Sequence, residues 1–219
     1  MRLNCRSLSG RHAGFGRAVR LLLLGIVLGA MPVAARAADP EAAQDPKAFI
    51  DTLGAQVIEI IKSPMSVRDR QQKFRELFSR EFDVPTIGRF VVGRYWNRAS
   101  PDEQTQYIDI FRNYVAAIYA QQFSHYQGEG FKVLSTRPVA EGETLVKAEI
   151  DRQGNPPIAV EFRVRGTPGT YKIADVTVEG VSLIITKRDE FSSVLAQEGL
   201  KGVMNRMQAA LKDVQSAGT

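Results

Sequence analysis

Near Phe131 the hydrophobic repeat of this chain changes from a helical period to a two-residue period, and beyond Thr186 it changes back. Helices, then strands, then helices leave few architectures open. Segregated runs of this kind favour an α+β fold, with helices packed on one face of a curved antiparallel sheet. Five segments read as strands: Phe131 to Thr136, Leu145 to Asp151, Ile158 to Arg165, Tyr171 to Val178 and Val181 to Thr186. In the third, Ile158, Val160, Phe162 and Val164 alternate with Ala159, Glu161, Arg163 and Arg165, which gives one buried and one wet face. Asp151 to Pro157 and Gly166 to Gly169 read as hairpin loops. The whole predicts a sheet of four to five strands with about six to seven helices. A cone of this type encloses a cavity wherever its own side chains do not fill it.

The helical part is well punctuated. Phe49, Leu53, Val57, Ile60 and Ile61 follow helical spacing, and Ser63-Pro64 ends that helix. Ser66 opens the next, with Asp69 three residues on and an apolar face of Val67, Phe74, Leu77, Phe78 and Phe82. Asp83 to Gly93 reads as a shorter helix with Pro85 in its first turn. Ser100-Pro101-Asp102-Glu103 is the clearest helix start in the chain, and that helix is predicted to run to Tyr126. It carries two apolar stripes: Tyr107, Phe111, Tyr114, Ile118 and His125 on one, Ile108, Val115, Tyr119 and Phe123 on the other. Two adjacent stripes exceed the face of an ordinary surface helix, so this one is predicted to be embedded between sheet and helices. A helix from Lys187 to Gln197 is broken by Gly199, and a last one carries Leu200, Val203, Met204, Met207 and Leu211.

The formal charge of +5 would suit nucleic acid or an anionic membrane, but its source argues otherwise. Residues 1 to 37 hold six arginines and no acid. Without them, about 23 basic residues face 24 acidic ones, a net charge of about −1. Arg17 and Arg20 precede the apolar run Leu21 to Ala30, and Ala35-Arg36-Ala37 offers a cleavage site. Residues 1–37 therefore read as a secretory signal peptide, with 38–46 as a flexible start and 47–215 as one domain. Cys5 lies before the apolar run, too early for lipidation at the cleavage point.

Catalytic and metal motifs are absent from the sequence. There is no phosphate-binding loop, no His-Glu-x-x-His and no cysteine pair. Gly180-Val181-Ser182 lacks the second glycine of a nucleophile elbow, since Ile184 stands there. Two residues keep an enzyme reading open. His125 is a helix-end residue or a catalytic one. Asp175 interrupts an apolar strand, as a solvent-facing or paired carboxylate or as a buried base. The aromatic set Trp96, Tyr107, Phe111, Tyr114, Tyr119, Phe123, Phe131 and Phe162 fits ordinary core or a ligand cavity.

Tyr171 to Phe191 couples an apolar strand, Val-Glu-Gly-Val-Ser-Leu and Thr-Lys-Arg-Asp-Glu-Phe. With Gly93-Arg94-Tyr95-Trp96, Ala99-Ser100-Pro101, the series Tyr107, Phe111, Val115, Tyr119, then Tyr126-Gln127-Gly128 and Gly199, it resembles the MlaC, or toluene-tolerance auxiliary, family of periplasmic phospholipid-binding proteins. The family more often has another aromatic at the place of Tyr107, which leaves the burial of that hydroxyl open. The resemblance implies a fold related to the cystatin and nuclear-transport-factor-like cones, with an apolar pocket for acyl tails and the head group outside. It implies phospholipid as cargo, no cofactor, no catalysis, and a monomer working between an inner-membrane MCE-type ABC transporter and an outer-membrane lipoprotein complex. A hopanoid-type lipid is the alternative cargo, and a plain interaction domain with a solid core is the alternative to a carrier. The expected lining residues are Phe90, Tyr107, Phe111, Tyr114, Ile118, Phe131, Val146, Ile150, Val160, Phe162, Val176 and Val181.

Overall fold

The computed structural model describes residues 45–122, 130–152 and 154–217. The signal-peptide reading of residues 1–37, most of the start at 38–46, and Phe123, His125 and Tyr126 lie outside the described residues. The elements run α1 (Pro46–Lys62), α2 (Val67–Glu81), α3 (Val84–Val92), a 3-10 turn (Gly93–Arg98), α4 (Pro101–Gln122), β1 (Gly130–Ala140), β2 (Glu143–Arg152), β3 (Asn155–Arg165), β4 (Lys172–Val178), β5 (Val181–Ser182) and α5 (Leu183–Ala217). The strands form one antiparallel meander in the order β1-β2-β3-β4-β5. This is the α+β architecture that the period changes predict.

Local chemistry sets the helix starts. Ser66 Oγ accepts from Asp69 N at 3.1 Å. Asp83 caps α3, accepting from Thr86 N at 3.3 Å, with Pro85 in the first turn. At α4 the box closes both ways: Glu103 N donates to Ser100 Oγ at 3.2 Å, and Ser100 N donates to Glu103 Oε2 at 2.8 Å. Ser100→Ala removes one arm of this box and is expected to lower stability by about 1 kcal/mol, read from a urea midpoint with unchanged slope.

Three boundaries and one buried face differ from the sequence reading. The fifth strand stops after Ser182, and the helix begins at Leu183, four residues before Lys187. Ser182 is the reason: its Oγ accepts from Ile185 N at 3.3 Å and donates to Asp175 Oδ2 at 2.7 Å, which makes it a helix cap. The β2–β3 hairpin is tighter than a 151–157 loop, because Arg152 pairs with Asn155 after a bulge. β1 runs on to Ala140 through Pro138, which an edge strand tolerates. Val67 is 49 % exposed and leaves the buried face of α2 to Phe74 and Leu77. Gly199 does break the final helix, at φ 65° and ψ −162°.

The core is divided. One cluster joins α3, α4 and α5 through Val84, Val91, Tyr107, Phe111, Val203 and Met207. The other joins α1 and α2 to the sheet through Ile50, Leu53, Leu77, Val146, Val164 and Ile173. Phe82 packs against both. It also bridges to Ile173, and Asp83 N donates to Ile173 O at 3.0 Å, which ties the α2–α3 corner to β4.

Candidate functional site

Between the two clusters lies a hollow of about 470 Å³, within the roughly 300–1,000 Å³ of small-molecule sites. α1 and α2 supply one wall, with Ile50, Leu53, Val57, Ile58 and Ile61, then Phe74, Leu77, Phe78 and Phe82. Val115, Ala116 and Tyr119 of α4 close a second side. The sheet forms the floor with Phe131, Ile150, Ile158, Val160, Phe162, Val176 and Val178. Alternation along each strand turns these residues to one face.

Burial falls from one end of the hollow to the other. Phe74, Leu77, Ile50 and Leu53 are buried, Ile58, Ile61, Ile150 and Ile158 are half-buried, and Gly130 and Arg152 are exposed. The last two mark its mouth. Apolar side chains that face inward and yet stay half-buried border space that the protein does not fill. One close approach helps to keep it clear: a Cβ at Gly54 would overlap the Phe131 ring, so glycine lets that ring lie against the α1 backbone. Phe131 in turn meets Phe162 edge-on at 6.2 Å. A smaller chamber of about 50 Å³ shares Phe78, Phe82, Val115, Tyr119, Val176 and Leu183 with the main hollow and is also lined by Phe111 and Asp175. Burial pushes the Tyr119 hydroxyl above its ordinary range, so it stays neutral there.

The structure brings Phe131, Ile150, Val160, Phe162 and Val176 together on the floor, and places the other expected lining residues elsewhere. Tyr107 is fully buried in the helical cluster, where its hydroxyl donates to Gly88 O at 3.0 Å. Phe111 stacks on it at 5.7 Å and reaches only the small chamber. Tyr114 packs on Phe191 with the Lys187 ammonium 5.7 Å from its ring centre, and Ile118 packs against the same cluster. Val146 lies farther along β2, where Val133, Val164 and Ile173 fill the space. Phe90 is outside the stripe of Val84, Ile87, Gly88, Val91 and Val92 on α3, and Arg188 lies over its ring at 4.9 Å. Val181 is 57 % exposed because the chain turns into α5 immediately after it.

The missed wall is α1 with α2. Their apolar residues read as an ordinary core stripe, and Gly54 within that stripe was the available signal. On α4 the second stripe, with Val115 and Tyr119, faces the hollow.

Asp175 is a structural bracket. Its carboxylate accepts from Val176 N at 2.8 Å, Ser182 Oγ at 2.7 Å and Ile184 N at 3.4 Å, which joins β4, β5 and α5. Asp175→Asn is expected to cost about 1–2 kcal/mol in a denaturant titration. Among the described residues no group of three His, Cys, Asp or Glu is placed to hold a metal, and no helix is long and apolar enough to cross a membrane.

The sequence profile of the MlaC protein family matches residues 51–209. The chain belongs to the MlaC family. It is 22 % identical over 125 residues to the intermembrane phospholipid transport system binding protein MlaC of Haemophilus influenzae, a match over 55 % of this chain and 58 % of that protein. It thus spans little more than half the length of the curated relative. A phospholipid-binding protein from Ralstonia solanacearum, solved in complex with a phospholipid, superposes with a TM-score of 0.67 at 22 % identity, over 78 % of this chain and 99 % of that one. At that identity the likeness concerns the fold.

Proposed function

We propose that this MlaC-family chain is a periplasmic phospholipid carrier that holds acyl tails in the hollow and leaves the head group at the mouth. The observation that carries the reading is an apolar void bordered by both packed clusters, its lining most exposed at Gly130 and Arg152. Dispersing a two-tailed lipid in water exposes roughly 30 methylenes at about 0.8 kcal/mol each, so unassisted crossing is prohibitive. A dry apolar hollow resembles the bilayer interior closely enough that loading and release sit near balance. No covalent chemistry is needed, and the carrier has no cofactor. The signal peptide delivers the domain to the periplasm as a monomer. There it receives or delivers lipid at an inner-membrane MCE-type ABC transporter and an outer-membrane lipoprotein complex. The name of the Haemophilus relative, an intermembrane phospholipid transport system binding protein, and the phospholipid complex of the Ralstonia protein support this reading.

The test is transfer of a fluorescent glycerophospholipid from donor to acceptor vesicles by the mature protein. Transfer well above the spontaneous rate is expected. A protein that neither accelerates transfer nor carries lipid overturns the proposal, and a polycyclic terpenoid in its extract reassigns the cargo.

A further inference from the structure

Among the described residues that line the hollow, Arg152 is the only charged side chain. It ends β2 at the exposed rim, two residues beyond Ile150, which lies on the apolar floor. Its Nε and Nη2 both donate to Pro156 O, at 3.0 and 2.8 Å, which fixes the guanidinium across the β2–β3 hairpin. An arginine has five N–H donors, so three remain after these two bonds. The carboxylate of the adjacent Asp151 lies beside Gly130, its partner across the β1–β2 ladder, and no ion pair joins it to Arg152 among the described residues.

We propose that Arg152 selects cargo by its phosphate, binding the phosphodiester of a lipid whose tails fill the hollow. The inference rests on the carrier reading and adds a head-group determinant to it. A guanidinium presents a planar fork that matches two phosphate oxygens, and anchoring by the hairpin reduces the entropy lost on forming that pair. An apolar hollow alone would take diacylglycerol and phospholipid with identical tails about equally. A fixed cation at the mouth breaks that tie. Free phosphate shares the chemistry but has no tails to hold it there, so the lipid head group is the better ligand.

The test loads delipidated protein from vesicles containing equal phosphatidylglycerol and diacylglycerol of matched chains, and reads bound lipid by mass spectrometry. Wild type is expected to prefer phosphatidylglycerol by about 3- to 10-fold, as suits a partly exposed charge-assisted pair. Arg152→Gln is expected to bring the ratio near one by losing phosphatidylglycerol while still taking up diacylglycerol, and Arg152→Lys to retain part of the preference. An unchanged ratio in Arg152→Gln, with lipid still bound, overturns the role of Arg152 alone. Wild type that loads neither lipid overturns the carrier reading with it. Loss of the wild-type preference in equimolar inorganic phosphate identifies a free-anion site and also overturns the assignment.

Discussion

Val176→Trp is expected to abolish lipid loading while leaving the protein folded. Val176 borders both the main hollow and the small chamber, and it pairs across the ladder with Phe162. It is half-buried, so a larger side chain has open space ahead of it. Most core positions punish overpacking by about 1–3 kcal/mol, because neighbours must move. Here the indole instead occupies the volume proposed for acyl tails and buries its own apolar surface there. Bound lipid is therefore expected to fall at least about tenfold, with thermal stability unchanged or raised, since a dry void stabilises nothing. Val139→Trp, on the outer edge strand at 37 % exposure, serves as the control that keeps its lipid. Equal loading in the two variants would mean that lipid sits elsewhere.

The largest stability effect is expected at Tyr107. The side chain is fully buried between α3 and α4, edge-on to Trp96 at 6.3 Å, and its hydroxyl is satisfied by Gly88 O. Gly88 eases this approach, since a Cβ there would lie 3.3 Å from Tyr107 Cε1 and 2.6 Å from Ile108 Cδ1. Tyr107→Ala opens a cavity and is expected to cost about 3–5 kcal/mol, a large part of the roughly 5–15 kcal/mol that holds a domain together. Tyr107→Phe leaves Gly88 O without this donor at a cost of about 1 kcal/mol. Burial pushes the Tyr107 hydroxyl far above its ordinary range. The unfolded chain gives up that proton near pH 10 and the folded one does not, so stability falls as pH rises past about 10. Tyr107→Phe is expected to show a shallower alkaline loss in denaturant titrations at increasing pH.

The fold was legible because period and caps agreed. Ser100 with Glu103, Ser66 with Asp69 and Pro85 after Asp83 marked helix starts that the hydrogen bonds reproduce. The end of β5 was also written in the sequence, as a serine three residues before Ile185, but the apolar run beyond it reads equally well as strand. The hollow was harder to read. Periodicity shows which face of an element leaves water, and it does not distinguish a face packed against side chains from one that borders a void. Tyr107 and Val115 both follow helical spacing on α4 and both belong to the core, yet only Val115 also borders the hollow. Only three-dimensional registry separates them. Val146 and Ile150 share one face of β2 in the same way, with neighbours at one and space at the other.

Native mass spectrometry of the mature protein, purified gently from a periplasmic extract, tests the vacant interior most directly. The predicted spectrum shows the polypeptide mass plus that of one diacyl glycerophospholipid, released intact on collisional activation. A spectrum of bare polypeptide alone, from protein that also takes up no lipid from vesicles, would contradict the account.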